Sequence, residues 1–396
     1  MTKRLAAASP SSAAALAAPT TGWTEAHLAA IADRPFPAIA PISAEWCDRR
    51  ISGLDVWDMW PVEAEDGTTV QFAAGRLWMA LAAPVLDDPE DRHAIARIHF
   101  LVEDAGGFRD TGPAFADGHT PGSREWSGSA AFSAATNRLT CWFTASGRRG
   151  EETTSFEQRL FATHGKLEWR DAAPCVSDWS APTELVRADG ETYLCVKGSQ
   201  GAAGTIKAFR DPAYFRDPAS GVQILVFTGS DAQSTSPWNG VIGAAISLAG
   251  IDGPWHLLPP LISADGVNNE LERPHLRYID GLYYLFWSTQ EKVFADGAPP
   301  APTGLYGMVS ASPLGPYAPL NDTGLIAANP PEAPWQAYSW WVLKDLSATS
   351  FVDLPGVART MPLPDAATRR ALFGGCPAPW LRLAFDGATS RILEPA

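Results

Sequence analysis

Three carboxylates stand in contexts that could do chemistry. Asp58 lies between Trp57 and Trp60 in "DVWDMWP"; Asp211 follows Arg210 in "FRDP"; Glu272 sits between Glu270 and Arg273 in "ELERP". A carboxylate held among indoles is costly to bury unless it is hydrogen-bonded or has a task. Carboxylates with arginines beside them, brought into one pocket, are the equipment for cleaving a glycosidic bond. A retaining enzyme uses one as nucleophile and a second, protonated, as acid toward the leaving oxygen, with the two about 5–5.5 Å apart. A third can hold sugar hydroxyls. Taken singly, "RDP" and "ERP" also read as surface turns whose charges pair with each other. A second triplet, Arg216-Asp217-Pro218, reads as a turn and nothing more.

Elements that could bring such motifs together are visible along the chain. Helical periodicity is confined to "TEAHLAAIADR", with Thr24 as cap, and to "DAATRRALF". Elsewhere short strands alternate with Gly, Pro, Asp and Asn clusters: "GRLWMALAA", "RIHFLVE", "RLTCWFTAS", "TYLCVKG", "VQILVFTGS", "LYYLFWST", "LYGMVSAS" and "LRLAFDG". The segments "REWSGSAAFSAATNRLTCWF", "FRDPAYFRDPASGVQILVF" and "LERPHLRYIDGLYYLFW" share one pattern. A polar motif opens a strand, a turn follows (Asp280-Gly281 in the third), and an aromatic strand returns. Repeats of roughly 60–85 residues, each a small antiparallel sheet, predict an all-β fold, a five-bladed β-propeller with a central funnel-shaped pocket. Polar motifs at the starts of the innermost strands would converge there. A pair of β-sandwiches is the competing architecture.

Composition narrows the function. The chain has 396 residues, 46% of them hydrophobic and 19% charged, ample for a packed core. A net charge of −14 with no basic run argues against a nucleic-acid partner. No apolar stretch of roughly 18 residues exists to cross a membrane as a helix. The 16 tryptophans serve equally well as core or as flat platforms for sugar rings. Cys47, Cys141, Cys175, Cys195 and Cys376 form no C-x-x-C pair, which removes zinc and thioredoxin-type readings and leaves buried thiols without a required disulfide. Residues 1–22 form an Ala/Ser/Pro-rich extension that reads either as a weak export leader interrupted at Ser9–Ser12 or as a plain extension. A single catalytic domain is expected over 23–396, with the protein extracellular or periplasmic and a cytoplasmic location left open.

The motifs together identify a resemblance. "DVWDMWPVEAEDG", "EWSGSA", "FRDPAYFRDP", "NNELERPH", "YLFW" and "WQAYSWWV", in this order, resemble glycoside hydrolase family sixty-eight, the levansucrases, inulosucrases and related bacterial β-fructofuranosidases. The resemblance implies a five-bladed propeller, no cofactor, and sucrose as fructosyl donor, with water, sucrose or fructan as acceptor. It implies that Asp58 is the nucleophile, Glu272 the acid/base and Asp211 the transition-state stabiliser. Trp57, Trp126 and Ser127 would line the fructosyl site. Arg210, Glu270 and Arg273 would bind the glucosyl part or orient the acid, and Tyr338 would be hydrogen-bonded near Glu272. Asp58 then has to stay ionised although desolvation raises its pKa, whereas Glu272 needs a raised pKa, which neighbouring carboxylates such as Asp58 and Glu270 would supply.

Three departures from the family pattern carry expectations. Gln290 stands where polymer-forming relatives carry Arg or His to hold acceptor sugars, so long-chain synthesis is not expected. Thr228 stands where relatives often have Glu. Asn269 stands where calcium-binding relatives have an acidic ligand, so no structural metal is expected. A sucrose hydrolase on the same fold, and a non-catalytic carbohydrate-binding propeller, are the rival readings.

Overall fold

The computed structural model describes residues 18–195, 206–359 and 365–393. Of the extension at 1–22, only residues 18–22 are among them, and Thr21 and Gly22 already pair in parallel with Ile262 and Ser263. The architecture is all-β. Among the described residues the strands form four sheets, one of ten strands and three of five. The largest has two antiparallel halves, joined where Val62 and Glu63 run parallel to Ala130 and Ala131.

The hydrophobic runs became strands much as their turn signals implied. Arg138–Ser146 and Leu282–Thr289 match the expected segments at both ends. Asp280 and Gly281 both have positive φ (48° and 86°), the backbone that a two-residue hairpin turn requires. The two short helices, Glu25–Ala29 and Ala366–Leu372, start after Thr24 and Asp365, and Asp365 accepts the Thr368 amide at 2.8 Å. One expected strand is described only in part. In "TYLCVKG" only Tyr193 pairs, through an isolated bridge to Asp231, and Cys195 is exposed rather than buried; residues 196–198 lie outside the described set. Polar Thr192 and Glu191 wrap the Asp189 carboxylate with their amides, which makes the start of this stretch a turn. Cys175 is half-buried, Cys47, Cys141 and Cys376 are buried, and all five are free thiols.

Five strands carry the motifs: the Asp58 strand (Leu54–Ala64), the Ser127 strand (Arg124–Ser133), the Asp211 strand (Phe209–Arg216), the Arg273 strand (Glu272–Ile279) and the Ser339 strand (Ala337–Val342). Each slips its register once against the next strand of its own sheet: between Trp57 and Trp60, Trp126 and Gly128, Arg210 and Ala213, Glu272 and His275, and Tyr338 and Trp341. A bulge bends the strand and re-aims a side chain. At four of them a non-glycine residue has positive φ: Asp58 (47°), Asp211 (61°), Arg273 (51°) and Ser339 (67°). Such strain persists only where the surroundings hold it, typically at a functional site. Pro212 and Pro274, the residues after Asp211 and Arg273, sit inside the bulges, where no ladder hydrogen bond is demanded of them. No helix among the described residues is long and apolar enough to cross a membrane.

Candidate active site

The bulges deliver their side chains to one cavity of about 280 Å³. All eleven residues singled out in the sequence line it: Trp57, Asp58, Trp126, Ser127, Arg210, Asp211, Glu270, Glu272, Arg273, Gln290 and Tyr338. Trp60, the other indole beside Asp58, turns away into the core, fully buried. The aromatic clamp around Asp58 is therefore one-sided, with Trp57 at the cavity wall and Trp60 behind.

Each carboxylate has its own surroundings. Asp58 lies beside the Ser339 hydroxyl and the Arg273 guanidinium; burial raises its pKa, Arg273 and Ser339 oppose that, Glu272 adds to it and Arg92 lowers it. Arg273 cannot move away. It donates to the Met59 carbonyl at 2.7 Å and to Ser339 Oγ at 2.9 Å, and its guanidinium lies over the Trp341 and Trp60 rings. That commitment makes it a fixed positive charge next to Asp58. Asp211 accepts from Ser127 Oγ at 2.7 Å and from Thr228 Oγ1 at 3.1 Å, so the threonine flagged as a departure touches this carboxylate directly. Burial raises the Asp211 pKa to about 6 against the pull of Arg210, with Glu272 and Asp58 adding to the rise.

Glu272 is held at both oxygens. Arg210 donates to Oε1 at 2.6 Å and the Tyr338 phenol donates to Oε2. Arg210 also lies 3.6 Å from Glu270 and 3.6 Å from Asp211, so one guanidinium serves three carboxylates. Burial opposes its charge, but those three carboxylates outweigh burial and raise its pKa. Glu270 is pushed up to about 7, first by burial and then by Glu272, against Arg210 and Lys292. Gln290 lies beside the Tyr338 side chain, which places the expected acceptor position next to the group that holds Glu272.

The wall contains residues that sequence reasoning missed. Glu90, Arg92 and His93 come from the short 3₁₀ turn Pro89–Ala94, capped by Asp88. His93 meets Trp57 edge-on at 5.6 Å, and burial, followed by the charge of Arg92, lowers its pKa so far that it stays neutral. Arg92 lies over Trp57 and Phe373. Asp353 faces the same cavity, and burial raises its pKa to about 6. No periodicity or motif marks these positions; only the path of the chain does. Among the described residues no group of three His, Cys, Asp or Glu side chains is placed to hold a metal ion.

A cavity with several buried carboxylates, a fixed cation and an aromatic wall can stabilise positive charge at a sugar carbon and move a proton to a leaving oxygen. Comparison with known proteins agrees. The family described as Levansucrase/Invertase matches residues 13–239 and 231–394. A levansucrase of Zymomonas mobilis subsp. mobilis is 32% identical over 370 residues, covering 86% of this chain and 82% of its own. A levansucrase of Rahnella aquatilis is 27% identical, covering 93% of each. Among solved structures, the inulosucrase from Halalkalicoccus jeotgali bound to kestose aligns with a TM-score of 0.84 at 35% identity, covering 94% of this chain and 95% of that one. The chain belongs to glycoside hydrolase family 68.

Proposed function

We propose that this protein is a sucrose-cleaving β-fructosyltransferase that works by double displacement through a fructosyl-enzyme. The observation that carries the reading is the convergence of Asp58, Asp211 and Glu272, from three separate strands, on one cavity with Arg210 and Arg273 between them. Asp58 attacks the anomeric carbon of the fructosyl unit. Glu272 gives its proton to the glucosyl oxygen as that bond breaks. Asp211 accepts hydrogen bonds from fructosyl hydroxyls, and these tighten as positive charge develops. Glucose then leaves, Glu272 takes a proton from the incoming hydroxyl, and the ester to Asp58 breaks with net retention. Arg210 and Tyr338 hold Glu272 in line for both proton transfers. Family membership and the levansucrase and inulosucrase likenesses support sucrose as donor and sucrose or fructan as acceptor.

The same reading extends to the frame. The two halves of the ten-stranded sheet together with the three five-stranded sheets fit five blades, and the five bulged strands fit the innermost strand of each. Residues 23 onward then act as one catalytic domain. Incubation with sucrose and measurement of released glucose tests the function: steady glucose release is expected, and its absence would reduce the protein to a carbohydrate-binding propeller.

Gln290 sets the expected product balance. Water competes for the fructosyl-enzyme, so transfer wins only where acceptor sugars are held in attack geometry. Gln offers neutral bonds of about 0.5–1.5 kcal/mol each where Arg would offer charge-assisted ones. Hydrolysis and short fructo-oligosaccharides are therefore expected, and Gln290→Arg should raise the glucose-to-free-fructose ratio and lengthen the products. Abundant ethanol-precipitable fructan from the unmodified protein would contradict this.

A further inference from the structure

Outside the pocket, the half-buried Lys207 ammonium is held, among the described residues, by neutral oxygens. Lys207 lies just before the Asp211 strand. Its ammonium donates to the Asn239 side-chain oxygen at 2.7 Å, to the Asn269 side-chain oxygen at 2.6 Å and to the Pro237 carbonyl. An ammonium has three donors and no acceptor, so this set uses all of them. The usual partner of a lysine, a carboxylate, is not among the three. Burial accordingly lowers its pKa, and the charge of Glu270 opposes that fall.

The cage is built rather than incidental. Asn239 and Asn269 are 4% and 0% exposed. Their amide nitrogens are directed elsewhere: Asn239 donates to the Asp231 carbonyl at 2.7 Å, and Asn269 is turned toward Glu270 Oε1 at 3.4 Å. Both amide oxygens are thereby turned inward. The Gly240 amide donates to the Asn268 carbonyl at 2.9 Å, and a Cβ on Gly240 would lie 2.7 Å from the Asn269 carbonyl carbon. The two segments that supply the oxygens are thus pressed together at a glycine. Backbone and amide oxygens are also among the ligands that proteins turn toward hard cations such as Ca²⁺.

We propose that Lys207 is a tethered cation: its ammonium fills an oxygen-lined site, takes the place of a free metal ion there, and so fixes Asn269 and the neighbouring Glu270 against Arg210. It is a positioning residue. Asn269 is bonded in sequence to Glu270, Glu270 lies 3.6 Å from Arg210, and Arg210 holds Glu272 at 2.6 Å. The three oxygens repel one another without a cation between them, and removing the side chain creates a vacant cation site.

Thermal unfolding of Lys207→Ala tests this, in CaCl₂, in methylammonium chloride, and in choline chloride at equal ionic strength. The unmodified protein is expected to have the same Tm in all three salts and after chelation with EDTA. The variant is expected to melt lower in choline and to recover saturably with Ca²⁺ or methylammonium, with its rate of glucose release from sucrose following the same saturation curve. A Tm equal to that of the unmodified protein, or a loss that neither cation reverses beyond choline, would overturn the proposal. Because the unfolding temperature is read directly, the outcome does not depend on the proposed reaction. Asn239→Ala provides a second test should Lys207→Ala not accumulate. It removes one oxygen and keeps the ammonium, so Lys207 should be acylated by an amine-reactive reagent several-fold faster; unchanged labelling would also overturn the proposal.

Discussion

The same three residues, Arg-Asp-Pro, occur twice in succession, once inside the strand Phe209–Arg216 and once where it ends, and the two copies have opposite fates. Asp211 sits in a bulge at positive φ, faces the cavity, and is driven up to about pKa 6 by burial despite Arg210. Asp217 closes the next turn. It accepts the Ala219 amide at 3.1 Å, the Ser220 amide at 3.0 Å and the Tyr283 hydroxyl at 2.6 Å. Burial alone would raise its pKa, but those bonds outweigh it and hold the carboxylate below its ordinary value. The turn saturates its aspartate with donors and fixes it as a structural anion. The bulge holds its aspartate by side-chain donors from neighbouring strands, Ser127 and Thr228, and sets it in the cavity wall, where a carboxylate can bind a substrate hydroxyl. Residue type is common to both; the backbone that presents it decides the role.

The largest expected effect breaks the two copies apart. Asp211→Asn should lower kcat/KM for sucrose by about 10²–10³-fold, the scale of losing one transition-state contact, with the fold intact. Asp217→Ala should leave that rate nearly unchanged and cost about 1–3 kcal/mol of stability in urea unfolding, because the donors of Ser220 and Tyr283 lose their acceptor. Comparable rate losses in both variants would erase the distinction.

A second effect is read in stability against pH. Glu270 has a folded pKa of about 7 against an ordinary 4.5. Below the ordinary value both states are protonated and the residue is neutral in its effect. As pH rises from there to about 7, the unfolded state loses the proton first, so the residue increasingly disfavours folding, and the full penalty stands above pH 7. Glu270→Gln should therefore raise Tm by a few degrees at pH 8 and hardly at all at pH 4. An equal shift at both pH values would show that Glu270 carries no such penalty.

The smallest effect sharpens the account of Asp211. Thr228→Val removes the 3.1 Å bond to that carboxylate while keeping the side-chain shape. A hydrogen bond to a carboxylate is worth about 1.5–3 kcal/mol; with Ser127 still donating to Asp211 the lower end applies, and kcat/KM should fall roughly tenfold. No change would show that Ser127 and Arg210 suffice to hold Asp211.

Much of this was legible in the sequence where local chemistry and fold agree. Aromatic and β-branched runs between glycine and proline clusters marked the strands, and "FRDP" and "ELERP" were legible as polar motifs opening strands, but the bulges they form, with Pro212 and Pro274 at the unpaired positions, were not. Other features were set by tertiary path. His93 and Arg92 reach Trp57 from a 3₁₀ turn with no repeating pattern, Asp353 follows the end of the strand Ser347–Val352, and the Lys207 cage joins segments that no spacing connects. In "TYLCVKG" the Asp189 carboxylate takes the Thr192 and Tyr193 amides, a turn at the start of the stretch that its apolar residues did not announce.

The central claim is a covalent fructosyl intermediate on Asp58. Glu272→Gln offers the direct test, since without its base the second step stalls, while a donor with a good leaving group, such as a nitrophenyl fructoside, still completes the first. Rapid acid quench, proteolysis and peptide mass analysis should then find a fructosyl adduct on the peptide that contains Asp58, and none when Asp58→Asn is added. An adduct on another residue, or leaving-group release by the Glu272→Gln variant with no adduct on any peptide, would contradict the account.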